Sequence, residues 1–183
     1  MSSLTVYHQS SPDLPNKMLT HAEDIASTLA AVGVQFAQLQ VAQPVLAGAS
    51  QDEVIAACQA QIDQLMSEHG YACLDVLSLC DEQGLNSEMR ASLLKEQRCA
   101  VAQLRYCVAG RGLLSLHIDD YVYALLCEKN DLVVLPAGTR HWFDSGERPR
   151  VALIRLFDSP QLPGIEDTGE AIAERFAGLD DCG

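Results

Sequence analysis

The chain is short of positive charge. Only 12 Lys and Arg stand against 25 Asp and Glu, a formal net charge of −13 over 183 residues. A surface of that sign repels phosphate backbones, which argues against a nucleic-acid partner. Long apolar runs are missing too: none approaches the ~20 residues that cross a bilayer, so no membrane association is expected. The first residues, "MSSLTVYHQSSPDLP", lack the basic-then-apolar layout of a secretion signal, and the expected location is the cytoplasm. There is no CxxC. The seven cysteines (Cys58, Cys73, Cys80, Cys99, Cys107, Cys127, Cys182) are odd in number and irregularly spaced. That pattern predicts reduced thiols, most of them small buried apolar side chains, rather than a disulfide framework. Repeats, low-complexity tracts and long linkers are also lacking. What is present is 48% hydrophobic residues and enough length for one domain, residues 1–183, with a real core.

Apolar spacing predicts a helix in "LTHAEDIASTLAAVGV", with Ile25, Leu29 and Val32 on one face, Thr20 as cap and Gly33 at its end. "VQFAQLQ" reads as a strand. "SQDEVIAACQAQIDQLMSEHGY" reads as a second amphipathic helix, capped by Ser50 and stopped by Gly70. "ACLDVLSL" is expected as a strand and "NSEMRASLLKE" as a short helix. The period then changes to two, with strands expected at about 99–108, 112–118, 121–127, 131–135 and 149–157. Many short strands with close turns point to a barrel or jelly roll. The fold class is therefore an all-β core with flanking helices: α/β elaboration over about 1–95, barrel strands over about 96–158, and a terminal helix over about 165–178.

Two stretches carry the chemistry. In "KEQRCAVAQLRYCVAGRG", residues 95–112, strand alternation puts Gln97, Cys99, Gln103 and Arg105 on one face and Ala100, Ala102, Leu104 and Tyr106 on the other. A solvated sheet would turn the polar face outward; a barrel with a polar cavity would turn it inward. The second stretch, "NDLVVLPAGTRHWF", favours the cavity. It fits Gly-x5-Pro-x-Gly-x2-His, a metal-binding cupin motif, with Asn130 in place of the first glycine and His141 at the ligand position. The first stretch has the spacing of the companion motif, His-x-His-x3-Glu-x6-Gly, but Gln97, Cys99 and Gln103 fill its ligand positions.

"RYCVAGRGLLSLHIDDYVYALLCEKNDLVVLPAGTRHWFDSG" and the following "ALIRLFD" closely resemble the acireductone dioxygenases. "SSLTVY", "AAVGVQF" and "VIAACQAQIDQLMSEHGYACLDVLSL" match the N-terminal part of that family, so the resemblance covers nearly the whole chain. It implies a monomeric cupin jelly-roll barrel holding one Fe(II) or Ni(II) through three His and one Glu, with an enediol substrate bound through two oxygens. On this chain those ligand positions are Gln97, Cys99, Gln103 and His141. The resemblance also places Arg105 and Arg155 near the substrate. The family's aromatic segment after "FD" is replaced here by "SPQLPG".

Gln amides are poor donors to a divalent ion, so tight Fe or Ni binding is not expected. The leading expectation is a site without a cofactor; Cys99 with His141 would otherwise make a weak soft-metal site for Zn or Cu. Without metal, Cys99 beside His141 would form a thiol–imidazole pair, with Cys99 as nucleophile or acid and His141 as base. Gln97, Gln103, Arg105, Arg155, Trp142 and Phe143 are the expected substrate contacts, Arg105 serving as an anion anchor unless a nearby acid pairs with it. Six residues of one strand span ~20 Å, which sets Arg105 out of reach of Cys99 and leaves His141 as the charge acting on it. Three readings stay open. The first is a divergent enzyme acting, without the Fe/Ni centre, on a small anionic or enediol-like molecule. The second is a genuine acireductone dioxygenase using other ligands such as Glu96 and His117. The third is a small-molecule-binding cupin without turnover.

Overall fold

Period-two patterning becomes one 16-residue strand rather than the two expected. The computed structural model describes residues 1–80 and 87–182. Its elements run β1 (Ser3–His8), β2 (Pro15–Leu19), α1 (Ala22–Ala30), β3 (Gln35–Gln38), α2 (Gln51–His69), β4 (Cys73–Cys80), α3 (Ser87–Leu93), β5 (Gln97–Cys99), β6 (Gln103–Ile118), β7 (Tyr121–Glu128), β8 (Asp131–Leu135), β9 (Arg140–Asp144), β10 (Arg150–Phe157) and β11 (Ile165–Asp167). Asn86, the first residue of the expected third helix, lies outside the described residues.

Strand β6 belongs to both walls of the barrel. Its first half pairs with β10 and β8, and its second half with β7 and β9. One wall therefore runs β4-β10-β6-β8-β3, the other β11-β5-β9-β6-β7-β1-β2. The strand changes walls at Gly110, whose φ is +68° and where a Cβ would lie 1.7 Å from the Arg150 carbonyl oxygen. Only glycine fits such a corner. Asn130, which departs from the motif glycine, has φ 84°. Asn enters that left-handed region more readily than other side chains, so the turn survives the replacement. Its Oδ1 accepts from the Val41 N–H at 2.9 Å.

The space between the walls is filled at one end by Leu4, Leu114, Leu125, Cys107, Phe143 and Leu153. Helix α2 covers the outside of the β10 wall, setting Val54, Cys58, Ile62 and Leu65 against Leu104, Tyr106, Ile154 and Leu156. Each fully buried aliphatic side chain contributes about 1.5–3 kcal/mol. The Ser50 Oγ accepts from the Glu53 N–H, as its cap position predicts, and the helix stops at Gly70. For α1 the cap residue is His21, not Thr20, and no side chain caps it; Ile25 and Leu29 are buried as expected.

The C-terminal segment corrects a sequence expectation. Instead of a helix over 165–178, β11 adds to β5, and two short 3₁₀ turns follow at Ile172–Arg175 and Leu179–Asp181. Gly169 and Gly178 interrupt the helical pattern, and pairing with the edge of β5 outweighs helix propensity. Ile172 and Leu179 still bury, covering the outside of the β9 wall. All seven cysteines are free; Cys58, Cys99, Cys107 and Cys127 are buried. Among the described residues no helix is long and apolar enough to cross a membrane.

Candidate functional site

Two rows of side chains meet inside the barrel. Directly opposite residues on neighbouring strands share a face. On one wall Gln97, His141 and Leu116 lie side by side across β5, β9 and β6. On the other, Asp75, Arg155, Arg105 and Val133 line up across β4, β10, β6 and β8. Arg105 bridges the walls: its Nη2 donates to His141 Nε2 at 3.1 Å, and its Nε donates to Gln103 Oε1 at 3.3 Å. The polar face of the first motif therefore looks inward, and Cys99, Gln103, Arg105 and His141 are all buried.

The ring tautomer follows from its partners. His141 Nδ1 lies 2.9 Å from the Thr139 carbonyl oxygen, which can only accept, so Nδ1 carries the proton and Nε2 is the acceptor. Burial, and then the charge of Arg105, lower the imidazole pKa to about 3. The ring is neutral at neutral pH, and its lone pair is already engaged. Burial and the facing Arg155 lower Arg105 to about 9, which leaves it charged at neutral pH. Its guanidinium also stands over the Phe143 ring, 5.9 Å from the centroid. Gly112 makes room for that ring, since a Cβ there would lie 2.2 Å from the Phe143 Cζ.

These positions revise the expected thiol–imidazole pair. The strand breaks after Cys99, the chain bends over 100–102, and β6 restarts at Gln103. The estimate of ~20 Å along one straight strand therefore does not apply. Cys99 lies close enough to contribute to the electrostatic environment of Arg105. The neutral His141 brings no positive charge to the thiol. Among the described residues no hydrogen bond joins Cys99 to His141, because Nε2 faces the guanidinium. Among the described residues no acid pairs with Arg105 either: its side-chain partners there are an amide and an imidazole.

Other expected contacts separate. Trp142 has the opposite parity from His141 and packs outside the barrel with Val122, Ile172 and Phe176. Phe143 shares the parity of His141 and forms part of the inner wall. Arg155 is held by Asp75 in a bidentate pair at 2.6 and 2.7 Å. It still lines a cavity of about 500 Å³ with Ser92, Lys95, Gln97 and Asp167. Gln97 is partly exposed there and donates to the Ser92 carbonyl. Glu96 and His117 lie on the outer face of the β9 wall, bonded to each other at 2.7 Å. Opposite parity keeps both out of the barrel site. Asp75, Thr139 and Gly112 escaped the sequence reading. Only Thr139, two residues before His141, carried a local signal; the others act through strands distant in sequence.

The ARD/ARD′ family model matches residues 4–162. This chain belongs to that family. The acireductone dioxygenase of Pseudomonas syringae pv. syringae is 58% identical over 181 residues, covering 99% of this chain and all of the relative. The Pseudomonas aeruginosa acireductone dioxygenase is 54% identical over the same length. Among solved structures, the fold resembles a protein described as acireductone dioxygenase from Bacillus anthracis with cadmium ion in its active centre. The TM-score is 0.74 at 19% identity, over 90% of this chain and 98% of that one.

The family resemblance implies a site for Fe(II) or Ni(II), and the donors present do not fit it. Among the described residues no three His, Cys, Asp or Glu side chains converge. Of the four ligand positions, two carry neutral amides and none carries a carboxylate. Two of the acceptors at those positions, Gln103 Oε1 and His141 Nε2, accept from Arg105. A divalent ion would have to displace a guanidinium and then lie beside it. The mismatch is one of donor chemistry and charge.

Proposed function

We propose that this chain binds an acireductone-like enediol, or a close chemical relative of one, inside the barrel, and that it does so without the Fe(II)/Ni(II) centre. The substrate class comes from the names of its relatives. The observation that supports the departure from their chemistry is the 3.1 Å contact of Arg105 with His141 Nε2, which closes the nitrogen that would face a metal. Gln97 and Arg155 line the cavity of about 500 Å³, and Cys99, Gln103 and Arg105 are buried polar groups of the barrel. This arrangement can hold and orient a small oxygenated molecule. It supplies no strong base, because the His141 lone pair is engaged and its pKa is lowered to about 3. Turnover through Cys99 would need its proton to leave by another route. That route is tested with Cys99→Ser, which abolishes turnover if the thiol reacts.

A second reading is a working acireductone dioxygenase. What favours it is 58% identity across 99% of the chain to a relative bearing that name, a more direct support for activity than any contact in the site. One experiment separates the two. Protein purified without added metal is analysed for iron and nickel, and oxygen uptake is followed with an acireductone under reconstitution with each metal. The metal-free reading expects binding of the acireductone with no stoichiometric metal and no uptake. One equivalent of Fe or Ni together with oxygen consumption establishes the dioxygenase and removes our proposal.

A further inference from the structure

Among the described residues the charges in the barrel do not pair off evenly. Arg105 is only 6% exposed, and among the described residues no carboxylate forms an ion pair with it. The carboxylate in its row, Asp75, is bonded through both oxygens to Arg155. Arg155 sits directly opposite Arg105 across the strand pair, so its net effect on the site is not that of a counter-ion. A guanidinium has five N–H donors. One Nε and one Nη2 donor have protein acceptors, and the rest have none among the described residues. The amide nitrogen of Gln103, itself 2% exposed, likewise has no acceptor among the described residues. The fully buried side-chain atoms left without a partner lie elsewhere, on Gln61, Arg90 and Ser145; a largely buried cation with no carboxylate paired to it among the described residues still favours an anion.

We propose that Arg105 is the resident cation of this site, standing where the family places a metal, and that a monoanionic carboxylate or enolate is its counter-ion. The negative oxygen would take the spare guanidinium N–H groups and the Gln103 amide, with the Phe143 ring behind the guanidinium. A fixed planar cation favours one bidentate anion. The inference rests on the reading above in placing the ligand inside a barrel that holds no metal.

The test uses full-length protein treated with EDTA and desalted, titrated calorimetrically under anaerobic conditions. Ascorbate serves as an enediol monoanion, lactate as a monoanion without an enediol, and methyl lactate as its neutral ester. Ascorbate or lactate is expected to saturate the metal-free protein, and methyl lactate is not. Arg105→Gln should weaken anion binding tenfold or more, and Arg105→Lys should weaken it less. Lactate binding without ascorbate binding upholds the counter-ion and removes the enediol reading. Ascorbate binding that is unchanged in Arg105→Gln upholds the enediol reading and overturns the counter-ion. Saturation by neither anion overturns the proposal, as does binding that needs added Ni(II). Should Arg105→Gln fail to fold, equal affinity for lactate and methyl lactate in the unaltered protein overturns it as well.

Discussion

His117 and His141 sit on adjacent strands of one wall, one residue out of register, and face opposite sides of it. Both are buried. On the outer face, His117 Nδ1 meets the Glu96 carboxylate at 2.7 Å, and Glu96 accepts from the Thr168 hydroxyl at 2.8 Å as well. On the inner face, His141 Nε2 meets the Arg105 guanidinium at 3.1 Å. One imidazole donates to an anion, and the other accepts from a cation. The outer cluster is closed on itself: the Glu96 carboxylate takes both the imidazole N–H and the Thr168 hydroxyl. The inner cluster is open, with cationic donors left over. A closed buried network acts as structure, and an open one has donors free to take a ligand.

The comparison breaks most visibly if the outer pair is cut. Glu96→Ala removes a fully buried carboxylate that His117 and Thr168 share and is expected to cost on the order of 3 kcal/mol, read from the urea midpoint. A change near zero would show that the outer cluster is not structural. The next effect is in acid. The folded-state pKa of His141 is about 3, against an unfolded value near 6.5. Between those values the unfolded chain carries a proton that the folded chain refuses. The contribution of His141 is therefore complete above pH 6.5 and is lost as pH falls toward 3. Urea midpoints across that window should fall with pH, and less steeply in His141→Gln; parallel slopes would refute the neutral buried ring.

Trp142→Phe comes third. It thins the outer apolar cluster by about 1 kcal/mol and should leave ascorbate and lactate titrations unchanged, because the side chain lies outside the barrel. A loss of affinity would move Trp142 back among the ligand contacts. The smallest effect sharpens the contrast. Arg105→Met removes a buried cation that has no carboxylate paired to it among the described residues, so the lost hydrogen bonds are offset, and stability should change by less than about 0.5 kcal/mol. If it costs as much as Glu96→Ala, the inner cluster is structural too.

Much of this was readable in one dimension. The period-two run from Gln103, the Pro136–Gly138 turn before His141 and the Ser50 cap all carry their geometry in neighbouring residues. Parity alone placed Glu96 opposite Gln97. Legibility failed where the outcome depended on a strand distant in sequence. "GEAIAERFAGL" has helical spacing, but the edge of β5 takes the preceding residues as β11. Arg155 carried no mark of Asp75, its partner 80 residues earlier.

The order of residues by itself determined which groups share a face, where turns bend the chain and which ligand types were exchanged for amides and a thiol. Those are consequences of backbone period and side-chain identity. Folding decided what the exchanged groups touch. Whether Arg105 would be paired by an acid, aimed at Cys99 or seated on His141 depended on how two walls close over one another. Contact across a cavity is set by packing and by desolvated charge, which no local spacing encodes.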